Sequence, residues 1–312
     1  MDGPNACSTN HPPAMRIALT TPTGHVGSRV VERLLETEHD LVLLARDPAK
    51  LADDVRARAE VVQGDLANPA DIRRLVGGAD ALFYLVPPNF TIAEDWAGWI
   101  KGLGRTAAEA VREAGVGRVV FLSSYGAQAG GLGPISAVGE VEGMLEAAAP
   151  NVVSVRAGYF MENYLGALHG IATEGVLYGT TPPDLRFAIV ATRDIGDVAA
   201  QWLSDVSWSG HRVAGVHGPA DLTQPEAAAE IGRGLGREVR YAQMPVEAFL
   251  GVLAGLGAGQ GFIDGYREML ATWAEGATHQ AEPRTPETTT PTTLRAFAAE
   301  TLAPALAAGA GA

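Results

Sequence analysis

Six short apolar runs punctuate the first half of the chain. They are "MRIALT", "DLVLLAR", "AEVVQGD", "DALFYLV", "RVVFLSS" and "NVVSVRAG". None keeps a sustained alternation of apolar and polar positions, the pattern of strands covered on both faces. Helical periods lie between them. "HVGSRVVERLLETE" sets Val26, Val30 and Leu34, with Val31 and Leu35, along one stripe of a charged helix. "PADIRRLVG" places proline in a first turn. A longer helical stretch runs from Ile92 to Ala114, and "AVGEVEGMLEAA" supplies the next. Strands joined by crossover helices predict an α/β fold, a doubly wound parallel sheet of the Rossmann kind. Ligands of such sheets bind at the carboxyl ends of the strands.

The rhythm loosens after Gly158. "GVLYGTTPPDLRFAIVATRD" reads as loop and short strand, and "DIGDVAAQWLSD" as a helix capped by Asp194. "HRVAGVHG" is a strand that can return to the main sheet. "PEAAAEIGRGLG" is a helix with a glycine stop, "EVRYAQMP" a short strand, "EPRTPETTTPTT" a loop, and "LRAFAAETLAPAL" a last helix.

Composition narrows the function classes. The formal charge is -13 over 312 residues, which argues against binding a phosphate backbone. No apolar run is long enough to span a membrane, and no signal peptide opens the chain. The single cysteine, Cys7, lies in a polar leader over residues 1–14, read as disordered, and Met15 is an alternative start. A cytoplasmic protein fits these features. The seven histidines are scattered, with no H-E-x-x-H pair. His211 with His217 is too weak a pair for a metal, and none is expected.

The candidate chemistry starts at "IALTTPTGHVG". A glycine turn follows a strand, opens a helix, and precedes a second strand that ends in a ribose-reading residue, as a dinucleotide fingerprint requires. Gly24 and Gly27 allow close approach. Thr23, His25 and Val26 present free amides at the positive end of the helix. Thr21 stands where a glycine is usual, and Pro22 after it predicts an extended Thr21 that prolongs the strand. Arg46 ends the second strand, where an arginine suits the 2′-phosphate of NADPH better than the bare ribose of NADH. Asp65, ending the third, can accept from an adenine amino group or cap the next turn.

"TPTGHVG", "LLARDPAKL", "FYLVPP", "FLSSYGA", "VRAGYFMENYL" and "TRDIGDVAA" occur in an order that resembles the NmrA-like atypical short-chain dehydrogenases/reductases. The resemblance spans Met15 to about Ala303. It implies an NADP(H)-binding Rossmann core over 15–157. Residues 158–312 would be mainly a small C-terminal α/β substrate lobe, with a strand near 211–218 in the main sheet. Thr21 to Val26, Arg46, Leu85, Val86, Pro87, Ala157, Gly158, Tyr159 and Phe160 would line the cofactor, and Ser123 is placed with them. The chain departs from the family in having Thr21-Pro22 for Gly-Ala.

The usual Tyr-x-x-x-Lys acid is absent, and Gly139 stands about where several NmrA-like proteins place a histidine. Ser124 and Tyr125 are the hydroxyls left at the end of the fifth strand and become the catalytic candidates. Tyr159, Asn163 and Tyr164 are candidates for the substrate. The implied activity is hydride transfer from NADPH to a quinone or similar conjugated carbonyl, whose stabilised oxyanion needs little protein acid. Two alternatives remain open: a non-redox cyclase or dehydratase on this scaffold, and an NADP(H)-sensing regulator. The glycine-rich "LAGLGAGQGFIDGY" and "PPDLRF" favour a small-molecule ligand over a pure sensor. Neither nucleic acid nor membrane is an expected partner, and a homodimer is left open.

Overall fold

The apolar runs become the strands of one sheet. The computed structural model describes residues 14–92, 94–274 and 282–309, so the leader with Cys7 lies outside the described residues. The strands are β1 (Arg16–Leu19), β2 (Asp40–Ala45), β3 (Glu60–Gln63), β4 (Ala81–Leu85), β5 (Arg118–Ser124), β6 (Asn151–Ala157), β7 (Tyr159–Phe160), β8 (Val176–Gly179), β9 (Phe187–Val190), β10 (His211–Val216), β11 (Asp221–Leu222) and β12 (Arg240–Gln243). The helices are α1 (His25–Leu34), α2 (Asp53–Arg58), α3 (Pro69–Val76), α4 (Trp96–Ala114), α5 (Pro134–Glu146), α6 (Leu168–Glu174), α7 (Thr192–Ser204), α8 (Gln224–Leu235), α9 (Val246–Gly255) and α10 (Gln260–Ala274). A last helical run begins at Leu294, widens to a π-turn over Ala298–Leu302 and ends at Gly309.

Seven strands form a parallel sheet in the order β10-β6-β5-β4-β1-β2-β3. As the sequence predicted, β10 returns to it, at the edge beside β6. Each face carries its own core. Phe121, Val119 and Val152 pack with α3, α4 and α5, whereas Phe83, Val120 and Val155 pack with α1 and α7. The chain after Gly158 therefore supplies a helix as well as a strand to the main body. Close contact of α7 with α1 needs Gly196, whose Cβ would stand 2.6 Å from that of Arg29. Arg29 then pairs with Asp197 at 2.8 Å.

The small lobe holds the sheets β11-β9-β7 and β12-β8 around a third core. Its helix α8 opens with a capping box between Thr223 and Glu226.

Two expectations need correction. The long helix starts at Trp96 rather than Ile92, because the Asp95 carboxylate accepts from the Gly98 amide at 2.7 Å and fixes the first turn there. Asp194 does not cap α7. The helix begins earlier, at Thr192, and its free amide is bonded by the Glu162 carboxylate at 3.1 Å. Asp194 is buried and clasps Thr292 through its amide (3.0 Å) and hydroxyl (2.6 Å). The segment "LAGLGAGQGFIDGY" forms the end of α9 and the start of α10. Gly257 turns the chain at φ 86°, and a Cβ on Gly261 would meet the Glu94 carbonyl oxygen at 2.3 Å.

Candidate cofactor and active site

Strand register places the candidate residues on one edge. Leu19 pairs with Phe83, Leu85 with Leu122, Ser124 with Ala157, and Ala45 with Gln63. The turn after β1, Leu85–Pro87, Ser124–Tyr125, Ala157–Phe160, Arg46 and Asp65 therefore all stand at carboxyl ends of the same sheet, as the fold rule requires.

The turn differs from its expected shape. Thr21 is not extended but left-handed, with φ 53°. The strand ends at Leu19, and the chain must reverse at once into α1. The Thr21 carbonyl accepts the Gly24 amide at 3.1 Å. It also lies 2.1 Å from where a Cβ on Gly27 would be, so the two lock each other. A β-branched residue in this region is strained, and glycine would adopt it without that cost. Thr20 stitches the base of the turn, donating to the Phe83 carbonyl (3.3 Å) and accepting from the Leu85 amide (3.2 Å).

These residues fit a dinucleotide. Thr23, Gly24 and His25 are exposed, and the amides of His25 and Val26 open α1 without intrahelical acceptors. The Thr21 hydroxyl oxygen is buried with no hydrogen-bond partner among the described residues. Arg46 is exposed and, among the described residues, forms no ion pair; its neighbour Asp47 caps Ala49 instead. Asp65 accepts from the Ala67 amide at 2.8 Å, the turn-capping arrangement.

The hydroxyl groups divide. Ser124 is half-buried with only a local contact to the Tyr125 carbonyl, 3.2 Å. Tyr125 is 7% exposed, its ring edge-on to His217. Ser123 points to the opposite face of β5, where it donates to the buried Glu142 carboxylate, so its hydroxyl is turned away from the cleft. Tyr159 is ringed by Tyr164, Phe187 and Trp273, with centroids 5.6, 5.5 and 6.3 Å away. Burial pushes its phenol well above the ordinary range, against a hydrogen bond from the exposed Asn163. Tyr164 lies behind Tyr159 at 2% exposure, its hydroxyl on Gln224 at 3.3 Å, which makes it a support for the wall.

Gly139 shows why the familiar acid is missing. A Cβ there would stand 1.9 Å from the Ala127 carbonyl oxygen. The loop after β5 lies directly on α5 and fills the place a side chain would take. A recess of about 410 Å³ opens beside His25, between α1 and the start of α7. Its arginines are already paired, Arg29 with Asp197 and Glu32, and Arg193 with Glu300.

Residues 13–277 match the model of the NmrA-like family. The chain belongs to this family. It is 29% identical over 253 residues to the NAD(P)H azoreductase of Xenophilus azovorans, covering 80% of this chain and 84% of that one. It is 32% identical over 240 residues to a (4-alkanoyl-5-oxo-2,5-dihydrofuran-3-yl)methyl phosphate reductase of Streptomyces griseus, covering 74% and 78%. The NADPH complex of the Escherichia coli NADPH-dependent quinone oxidoreductase QOR2 superposes with a TM-score of 0.74 at 26% identity, over 92% of this chain and 99% of the other. Among the described residues, no helix is long and apolar enough to cross a membrane, and no His, Cys, Asp or Glu cluster could hold a metal.

Proposed function

We propose that this protein is an NAD(P)H-dependent reductase of the NmrA-like family that prefers NADPH and reduces a quinone or similar conjugated carbonyl. The observation that carries the reading is the exposed Arg46, without an ion pair among the described residues, in register with the glycine turn and the Ser124–Tyr125 step on one sheet edge. The reductases among its relatives support the same class of reaction.

The free amides of Thr23, His25 and Val26 hold the pyrophosphate, with the α1 dipole behind them. Arg46 pairs with the 2′-phosphate. Leu85–Pro87 and Ala157–Phe160 wall the ring end of the cleft. NADPH, when bound, supplies the hydride. Tyr159, held by Asn163, presents an aromatic face to a planar acceptor. Ser124 and Tyr125 are the hydroxyl donors at this edge for the oxygen that gains charge. A quinone's product oxyanion is intrinsically stable, so water can complete its protonation.

Two outcomes follow. Arg46→Ala should lose about 1.5–3 kcal/mol of NADPH affinity, the scale of a hydrogen bond to a charged group, with NADH affinity unchanged. Titrating both cofactors against both proteins checks this, and equal affinities in the wild type would refute the preference. Tyr125→Phe should slow quinone reduction by less than about tenfold, or 1.4 kcal/mol of barrier. The rate of NADPH oxidation, with affinity measured separately, decides it. Abolished turnover with intact binding would make Tyr125 an obligatory acid. Binding without turnover on any conjugated carbonyl would leave the sensor and the non-redox enzyme.

A further inference from the structure

Behind the Ser124–Tyr125 step lies a buried ionic cluster that hydride transfer does not use. Arg156 of β6 donates to Glu142 of α5 through Nε (2.9 Å) and Nη2 (2.6 Å). Its Nη1 donates to Glu282 (2.7 Å) and Gln128 (3.2 Å). Glu282 thus has one oxygen satisfied. Its other oxygen, Oε2, is buried and makes no hydrogen bond among the described residues, and the same holds for both ring nitrogens of His217, which is 0% exposed.

These orphaned groups are neighbours. A Cβ on Gly215 would stand 2.7 Å from the Glu282 Cβ and 3.0 Å from His217 Nε2. On its other side the imidazole stands edge-on to the Tyr125 ring, with centroids 6.4 Å apart and planes at 86°. The backbone of His217 is pinned, its amide to the Thr288 carbonyl (2.8 Å) and its carbonyl to the Thr290 amide (2.7 Å). Any change of state must therefore lie in the side chain.

A carboxylate oxygen and two ring nitrogens share one buried place, with the Glu282 backbone the acceptor facing the imidazole, and leaving them without strong hydrogen bonds is costly. A protonated imidazole facing Glu282 would satisfy a nitrogen and the carboxylate oxygen together. We propose that His217 is a positioning residue for Tyr125 with two states: neutral, it packs against the Tyr125 ring; protonated, it turns to Glu282 and withdraws that support. The inference rests on the proposed reductase reading, in which Tyr125 borders the hydride acceptor.

The charges facing His217 oppose one another. Burial, first, and Arg284, second, disfavour the imidazolium and hold the ring below the ordinary histidine value, against Asp221, the Glu282 carboxylate and a hydrogen bond to the Glu282 backbone, which favour it. Arg284 is itself bonded to Asp221 and to the Gly218 carbonyl. Arg156 and Glu142 form the layer beyond Glu282. At neutral pH the ring is therefore neutral and Tyr125 is supported. Acid populates the second state.

The test is a histidine-ring NMR titration of the full-length, cofactor-free protein, with His217 assigned by comparison with His217→Phe. Tyr125 ring signals should move with the His217 midpoint in the wild type. Glu282→Gln keeps a carbonyl oxygen for Arg156 but carries no charge, and should lower that midpoint by about one pH unit. With a working acceptor, kcat/KM should show an acid limb that shifts down in Glu282→Gln and disappears in His217→Phe. A midpoint indifferent to Glu282→Gln, or Tyr125 signals that ignore His217, would overturn the proposal. Should Glu282→Gln not fold, the coupling of the Tyr125 signals to the His217 midpoint in the wild type decides, and should His217→Phe not fold, His217→Gln supplies the assignment. Failure of every acceptor would sink the reductase reading, while the titration would still judge His217.

Discussion

Gly139→His is expected to damage the fold rather than restore an acid. The substitution puts the residue of several NmrA-like proteins at its family position, yet the first added carbon would already stand 1.9 Å from the Ala127 carbonyl oxygen. That neighbour is backbone, held by the Ala127 amide on the Ser124 carbonyl at 3.0 Å, so no rotamer change relieves it. Either α5 shifts or the loop from Tyr125 to Gly133 lifts. Overpacking a close contact costs about 1–3 kcal/mol, and more where backbone must move. Gly139→Ala carries the same clash and should lose nearly as much. The melting temperature of each variant should fall by on the order of 5–10 °C, given the few degrees per kcal/mol of domains this large. Because the loop carries Tyr125, quinone reduction should fall with stability. A histidine variant that melts with the wild type and reduces quinones faster would show that the loop yields and that the acid can be grafted.

The same clash marks where the sequence stops being readable. The strands were legible because continuous apolar runs have one economical solution, a sheet covered on both faces. The exposed place of Arg46 was legible because it follows the end of β2, and β10 because it repeats the apolar pattern. Thr21 was not. Pro22 argues locally for an extended residue, but the lock between the Thr21 carbonyl and Gly27 demands a left-handed one. The family's glycine at that position was the available signal, since glycine is the default where φ is positive. Asp194 was misread because any aspartate near a helix start satisfies the capping pattern. The true partner of the Thr192 amide is Glu162, thirty residues earlier.

The site residues that escaped the sequence are those whose partners are remote. Arg156 and Glu282 meet across 126 positions. A signal was present all the same. Arg156 sits inside "VVSVRAG", a run otherwise buried at nearly every position, and Glu142 lies on the buried side of α5. Charged residues where the period calls for apolar ones ask for each other. The pattern could not say that a loop from the far end of the chain would bring a second carboxylate, nor that His217 would lie beside it.

Arg156→Ala should therefore be among the most destabilising substitutions in the chain. Its guanidinium is the shared counterion of two carboxylates, each exposed by 10% or less at the side chain. Removing it strands Glu142 and Glu282 with no cation in contact, and the Ser123 hydroxyl and Gln128 amide cannot neutralise them. Breaking a buried pair from one side costs about 3–5 kcal/mol. Glu142→Ala removes one negative charge and leaves Arg156 paired with Glu282, so its loss should be smaller. The double variant Arg156→Ala/Glu142→Ala should lose less than the sum of the two, because one of the two stranded charges is gone; couplings within such networks run to about 0.5–3 kcal/mol. Chemical denaturation of the four proteins at neutral pH reads all of this. The Arg156→Ala defect should also shrink on acidification, since protonating the stranded carboxylates removes the uncompensated charge. Additive losses, or an Arg156→Ala defect that does not change with pH, would mean that the cluster is solvated and that its charges do not depend on one another.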